Sequence, residues 1–136
     1  MDRLPFQIEI QPGSPAYEQV IQAVHRAVAR GILAEGDPFP SVRVLGRAAR
    51  INPNTAHKVV QALVAEGTLE VLPGRGTRIA PAVKRSARQR LNMIRADIES
   101  LVVEARRVGF ELEDLNQALR DAWHALDHHS KTTKQP

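Results

Sequence analysis

Asn52, Asn54, Thr55, His57 and Lys58 fall within seven residues, and every one carries a hydrogen-bonding side chain. Two amides, a hydroxyl, an imidazole and an ammonium can bond to base edges, and the lysine also suits a phosphate. Upstream, Ser41 is followed two positions later by Arg43, whose planar guanidinium matches a guanine edge or a phosphate with two parallel bonds. Downstream, Gly74, Arg75 and Gly76 set a cation between two residues that lack a Cβ. The glycines let the backbone approach a partner closely, and the arginine can enter a minor groove or clamp a phosphate. Between Ser41 and Ile79 there are six basic residues and two acidic ones. Each feature alone also reads as an ordinary solvated surface. Together they describe chemistry of recognition, directed at a polyanion.

Three elements must hold these groups. Asn52 is a good helix N-cap, and Pro53 fits the first helical position, where its missing N–H is not needed. Ala56, Val59, Val60, Leu63 and Val64 recur at helical spacing and give this helix one apolar face. Gly67 ends it. A shorter helix precedes it, capped by Ser41 after Pro40, with Val42, Leu45, Ala48 and Ala49 as its buried stripe. Arg43, Arg47 and Arg50 lie off that stripe with no acid among them, and Ile51 in the turn is expected to fill the space between the helices. After Gly67, two short β-type runs flank a Pro-Gly turn and read as a hairpin. The order helix, turn, polar-tipped helix, hairpin is that of a winged helix-turn-helix. In such a fold the second helix enters the major groove and offers bases its N-terminal residues.

Residues Ser14 to Ala80 resemble the DNA-binding domain of the GntR family of bacterial transcription regulators. The resemblance is carried by Pro40-Ser41-x-Arg43, by Asn52-Pro53-Asn54-Thr55, by Glu66-Gly67 and by Gly74-Arg75-Gly76-Thr77. It implies that Ser41, Arg43, Asn52, Asn54, Thr55, His57, Lys58, Gly74, Arg75 and Gly76 lie at double-stranded DNA. Phe39 before the Pro-Ser pair, Gly46-Arg47, and His57-Lys58 depart from the usual family pattern, so a base preference does not carry over. The short C-terminal part is similar to the YtrA subfamily, whose members have two dimerisation helices in place of a large effector domain. The same resemblance implies a dimeric repressor of its own operon, often with transporter genes.

The remaining chain supports or pairs this unit. In residues 1–13, Phe6, Ile8 and Ile10 alternate with polar residues, a short strand pattern in an arm that packs on the domain. Ser14-Pro15 reads as cap and first position of a helix ending near Arg30 or Gly31, with Tyr17, Val20, Ile21, Val24, Val28 and Ile32 marking its apolar face. Tyr17 is expected in the core and His25 on the surface. Residues 34–39, rich in Gly and Pro, read as a turn. Pro81 marks a boundary, so residues 1–80 form the first domain. Residues 81–129 form a helical hairpin, and residues 130–136 read as a disordered tail.

In the hairpin, a long helical pattern spans residues 82–108. Ala87, Leu91, Ile94, Ile98, Leu101, Ala105 and Val108 are spaced four, three, four, three, four, three, a heptad seam that needs a partner along its length. Its first half carries Lys84, Arg85, Arg88, Arg90 and Arg95 with no acid before Asp97. Gly109 closes it, and Glu111, Glu113 and Asp114 favour a new helix start through the helix dipole. Leu112, Leu115, Leu119, Ala122, Trp123 and Leu126 form the second stripe. One hairpin cannot cover both stripes in water. A symmetric homodimer is expected, with Leu91, Ile94, Ile98, Leu101, Ala105, Leu115, Leu119 and Trp123 at the interface. It would present two reading helices to a palindromic operator. His124 and His128, four apart near His129, Asp121 and Asp127, have metal-ligand spacing, but ordinary surface histidines are expected and no metal.

Composition narrows the classes. The 136 residues suit one small domain with an extension, and 43% hydrophobic content allows a modest core. Aromatic residues at 4% are too few for a single-strand stacking platform. The absence of cysteine excludes disulfides, thiol catalysis and cysteine-zinc sites, and suits a reducing cytoplasm. No apolar run approaches membrane-spanning length, and no signal-peptide pattern opens the chain. A net charge of +4 favours an anionic partner. No Ser-His-Asp grouping, phosphate loop or catalytic carboxylate pair stands out, so neither an enzyme nor a cofactor is expected. The small C-terminal part leaves any effector, of unknown identity, to the dimer interface. The alternative reading is an adaptor that uses the hairpin for another protein. It predicts no salt-dependent affinity for DNA.

Overall fold

The computed structural model describes residues 3–82 and 85–133, with side chains as far as Asp127. The architecture is mainly helical, with a small sheet. The elements follow the order α1 (Ala16–Ala29), β1 (Pro38–Phe39), α2 (Val42–Ala49), α3 (Pro53–Ala65), β2 (Leu69–Leu72), β3 (Gly76–Ile79), α4 (Ala87–Arg107) and α5 (Leu112–Thr133). The chain divides into two compact units, the second spanning Val83–Thr132.

The first unit is built on the apolar stripes of three helices. Val20, Ala23, Val24 and Ala27 of α1 meet Leu45 of α2 and Ala56, Val59 and Leu63 of α3 in one core cluster. Leu33, Phe39, Leu69 and Ile79 close its sheet side. Tyr17 and Ile51 are half-buried and pack against this cluster, as expected from their places in the pattern.

The wing hairpin pairs β2 with β3 in antiparallel register, Leu69 opposite Ile79 and Leu72 opposite Gly76. The turn closes through the Arg75 N–H donating to the Leu72 carbonyl at 2.9 Å, with Gly74 and Gly76 at φ +73° and +85°. Those left-handed angles favour glycine, which has no Cβ to clash. The segment read only as a turn, residues 34–39, also supplies a third strand. Pro38 and Phe39 pair with Arg78 and Thr77, giving the order β1-β3-β2. Two residues are too few to show a period in sequence. They form a strand because β3 offers them an open edge and Phe39 gains a place in the core.

The N-terminal arm keeps the expected alternation but not the strand. Leu4, Phe6, Ile8 and Ile10 are turned inward while Arg3, Gln7 and Glu9 are exposed, yet no ladder forms among the described residues of the arm. Phe6 is buried and stacks on Phe39, with ring centroids 5.9 Å apart and planes 13° from parallel. The arm is held by Gln19, whose side chain accepts from the Gln11 N–H and donates to the Gln11 carbonyl, both at 2.8 Å. Ser14 does not cap α1. Pro15 occupies the N-cap position at φ −60°, ψ 137° with no side-chain bond, and the Gln19 amide donates to the Ser14 carbonyl instead.

In the second unit, α4 begins at Ala87, later than the helical pattern from residue 82 suggested. Ser86 and Gln89 stop it there with a reciprocal capping box: each side chain accepts from the other's backbone N–H, at 3.2 and 2.9 Å. The Ser-x-x-Gln signature was present in the sequence. Gly109, at φ +86°, and Phe110 make the turn, and α5 runs to Thr133, so the expected tail boundary at Ser130 falls inside the helix. Lys84 and residues 134–136 lie outside the described residues, as do the side chains of His128 and His129. The hairpin is open. The helices do not lie against each other along their length, and Ala105 is the one buried residue of this unit among those described. No helix among the described residues is long and apolar enough to cross a membrane.

Candidate nucleic-acid interface

The helix-turn-helix is set by a close crossing of α2 and α3. Gly46 of α2 is buried, and a Cβ built there would lie 3.5 Å from the Ile51 carbonyl oxygen and 3.7 Å from the Ala56 Cβ. The turn between the helices is reached through Arg50, which adopts φ +56°, ψ +48°. That left-handed residue lets the Ile51 N–H return to the Gly46 carbonyl at 3.0 Å, the long bond of a Schellman-type helix end. Glycine is the usual occupant, and arginine there carries a steric cost of about 1–2 kcal/mol.

Both helices start on side-chain caps. The Ser41 Oγ accepts from the Val44 N–H at 3.2 Å, and the Asn52 Oδ1 accepts from the Asn54 N–H at 2.8 Å. Pro53 follows at the first helical position of α3. Asn52 therefore has its oxygen engaged with its own helix, and its –NH2 is the group it can turn outward. With Ala56, Val59 and Leu63 buried against the core, helical geometry turns Asn54, His57, Lys58 and Gln61 outward. All four are exposed, while Thr55 is half-buried. Arg43 and Arg47 are exposed on α2 and line one shallow hollow with Val42, Gly46, Ile51 and Pro53. In the wing, Gly74, Arg75 and Gly76 are exposed at the hairpin tip.

The fold thus gathers the polar first turns of α3, the cations of α2 and a basic wing in one unit. Arg78 is set apart from this group. It stands opposite Glu70 in the ladder, and its Nε donates to the Glu70 carboxylate.

Two side chains gain roles that spacing did not show. His25, expected as a plain surface histidine, has its Nε2 2.5 Å from the Glu66 carboxylate at the C-cap of α3. The Thr68 hydroxyl donates to the same oxygen at 2.8 Å. This contact ties α1 to the far end of the helix that carries Asn54 and His57. Its partners are 41 residues apart, and no local pattern marks it.

Residues 16–79 match the description of the bacterial regulatory proteins of the gntR family. The HTH-type transcriptional repressor YtrA of Bacillus subtilis (strain 168) is 36% identical over 117 residues, spanning 85% of this chain and 90% of that protein. The chain belongs to the GntR family. A relative so similar over nearly its whole length extends the likeness beyond the winged domain and into the two C-terminal helices. Among solved structures, a transcriptional antiterminator from Listeria monocytogenes EGD-e aligns at a TM-score of 0.76 and 26% identity, over 89% of this chain and 91% of that one. YtrA from Sulfolobus acidocaldarius, a GntR-family transcription factor, aligns at 0.56 and 29% identity, over 71% of this chain and 96% of that one. The GntR chain is therefore a transcription regulator of a non-catalytic, DNA-binding kind, and its likeness to the YtrA subfamily holds in both sequence and structure.

Proposed function

We propose that this regulator is a homodimeric, sequence-specific repressor that binds a palindromic operator and controls its own operon. The observation that carries the reading is the exposed N-terminal face of α3. Asn54, His57 and Lys58 stand on a helix whose opposite side is locked into the core, with exposed cations of α2 and the wing in the same unit. Phosphate contacts from Arg43, Arg75 and Lys58 would supply most of the affinity, and Asn54, Thr55 and His57 would read bases. Ser41, Asn52, Gly74 and Gly76 would bring backbone and cap groups up to the phosphates. A protein that acts on such an operator would work in the cytoplasm.

Uncovered apolar surface supports the dimer. Leu91, Ile94, Ile98 and Leu101 are 42–50% exposed in the single chain, and Trp123 is 71% exposed. A contiguous apolar stripe of that length marks an interaction face. Leu101→Glu should abolish the dimer, because the seam would bury an unpaired charge. Its fold should survive, since Leu101 is half open within one chain. Light scattering that returned a dimer would place the seam elsewhere.

The functional test is footprinting of the DNA upstream of the chain's own gene, with a salt series. A protected palindrome is expected, with affinity falling steeply as salt rises. Arg43→Ala and Asn54→Ala should each weaken specific binding by about 1–3 kcal/mol with the circular dichroism spectrum unchanged. Full affinity for the footprinted site in both variants would refute this reading surface.

A further inference from the structure

We infer that Gln61 is a further base-reading side chain of α3, and that it recognises an adenine two base pairs along from the base met by Asn54. The inference rests on the reading surface proposed above and extends it by about two turns of helix.

Gln61 stands seven positions after Asn54. At 3.6 residues per turn that is about 20° short of two full turns, so the two amides lie on one line along α3. The buried residues Ala56, Val59 and Leu63 lie on the opposite side of the helix. His57 and Lys58 flank the line, one on each side, at roughly 40–60° from it. Gln61 is therefore closer to the middle of the outward face than either of them, and it is exposed.

Nothing along α3 keeps this end of the helix from a polyanion. The helix contains no acidic residue from Pro53 to Ala65. The next residue on the line after Gln61 is Ala65, which is small and exposed. Glu66, the first acid, falls about a third of a turn off the line. Its carboxylate is held by the His25 Nε2 of α1 at 2.5 Å and by the Thr68 hydroxyl at 2.8 Å. Other glutamines of the chain are engaged at home. Gln19 holds the arm, Gln89 caps α4 and the Gln117 amide donates to Asp121. The Gln61 amide makes no such bond among the described residues.

A glutamine amide presents a donor beside an acceptor, which matches N7 and the N6 amino group of adenine in the major groove. Side chains three to four residues apart meet successive bases when a helix lies in that groove, as positions −1, 3 and 6 of a zinc-finger helix do. Asn54, the His57–Lys58 pair and Gln61 keep that spacing over about 10 Å of helix axis. Gln61 thus falls on the third base pair. Side-chain length agrees with this placement. A reading helix enters the groove by its N-terminal end. The short asparagine sits at that end, and the glutamine, one methylene longer, sits where the helix stands further from the bases.

The test is selection of bound sequences from a random double-stranded library, carried out with the full chain and with its Asn54→Ala, Gln61→Ala and Gln61→Met variants. Fluorescence titration on the selected site, with each base pair substituted in turn, then gives the preference at every position. The full chain should require adenine two base pairs from the position whose preference Asn54→Ala removes. Gln61→Ala should lose that adenine preference alone and keep the others. Affinity for the selected site should fall about 5- to 150-fold, the discrimination of one bidentate pair. Its salt slope should be unchanged, because no phosphate contact is lost. Gln61→Met, of similar reach but without the amide, should behave in the same way. Gln61 is exposed, so both variants should keep the circular dichroism spectrum of the full chain. Preferences unchanged in Gln61→Ala, with Asn54→Ala losing its own, would overturn the inference and leave the reading surface standing. A salt slope reduced by about one with all preferences kept would make Gln61 a phosphate contact and overturn it as well. Adenine preference retained by Gln61→Met would overturn recognition through the amide. Preferences unchanged in both alanine variants, or no sequence enriched by the full chain, would remove the reading surface and the inference together.

Discussion

Gly46→Ala should stabilise the winged unit, because Gly46 is a glycine the local geometry does not require. It sits inside α2 with an ordinary helical backbone, unlike the seven glycines with positive φ. Glycine inside a helix costs about 0.8–1 kcal/mol relative to alanine. The added methyl would meet the Ile51 carbonyl oxygen at 3.5 Å, the Ala56 Cβ at 3.7 Å and the Pro53 Cα at 4.0 Å. All three are ordinary contact distances, so the overpacking penalty of a tight core does not apply. The methyl is also buried, worth up to about 0.8 kcal/mol of transfer free energy. The net expectation is a gain of about 1 kcal/mol, or a rise of about 4–8 °C in the melting temperature of a unit this size. The assay is thermal unfolding followed by circular dichroism at fixed protein concentration, since a dimer would make the midpoint concentration-dependent. Operator affinity should be unchanged, because Gly46 offers nothing to a groove. A loss of stability would refute the reasoning, since it would mean that α2 and α3 cross more closely than these distances allow.

The other predictions concern the turn, the wing and the brace behind α3. Arg50→Gly should raise stability by about 1 kcal/mol by relieving the left-handed arginine, whereas Arg50→Val should lower it, both read by urea unfolding. Arg75→Ala should weaken binding to all DNA sequences alike and reduce the slope of log affinity against log salt by about one, measured by a fluorescence titration. His25→Ala should cost less than about 1 kcal/mol, because both partners of the His25–Glu66 contact are more than a third exposed. A double-mutant cycle with Glu66→Ala isolates that contact, and a coupling near zero would remove the proposed brace.

Local chemistry was legible where it is written in neighbouring residues. Ser41 and Asn52 cap their helices as their types dictate, Pro53 takes the first helical position, and Gly74 and Gly76 supply the left-handed angles of the wing tip. The apolar faces of α1, α2 and α3 follow directly from their spacing, since a helical period fixes which side chains share a side. Cap positions were less certain. Ser14 looks like a cap, but Pro15 holds an extended angle and Gln19 takes the carbonyl, a choice made by the arm that Gln19 also binds.

What the sequence by itself determined, then, is the set of elements, the polar face of α3 and the need of the last two helices for a partner. Each of these depends on residues within a few turns of one another. Only the tertiary structure decided what joins distant segments. Pro38 and Phe39 become a strand through the free edge of β3. Phe6 finds Phe39 across 33 positions of sequence, and His25 meets Glu66 across 41. It also showed α4 and α5 standing apart, which turns a general need for a partner into a question of which chain supplies each cover. Such contacts arise only after the core has packed, because it is the packing that brings their partners within reach, and no periodicity in the chain encodes a distance between two segments.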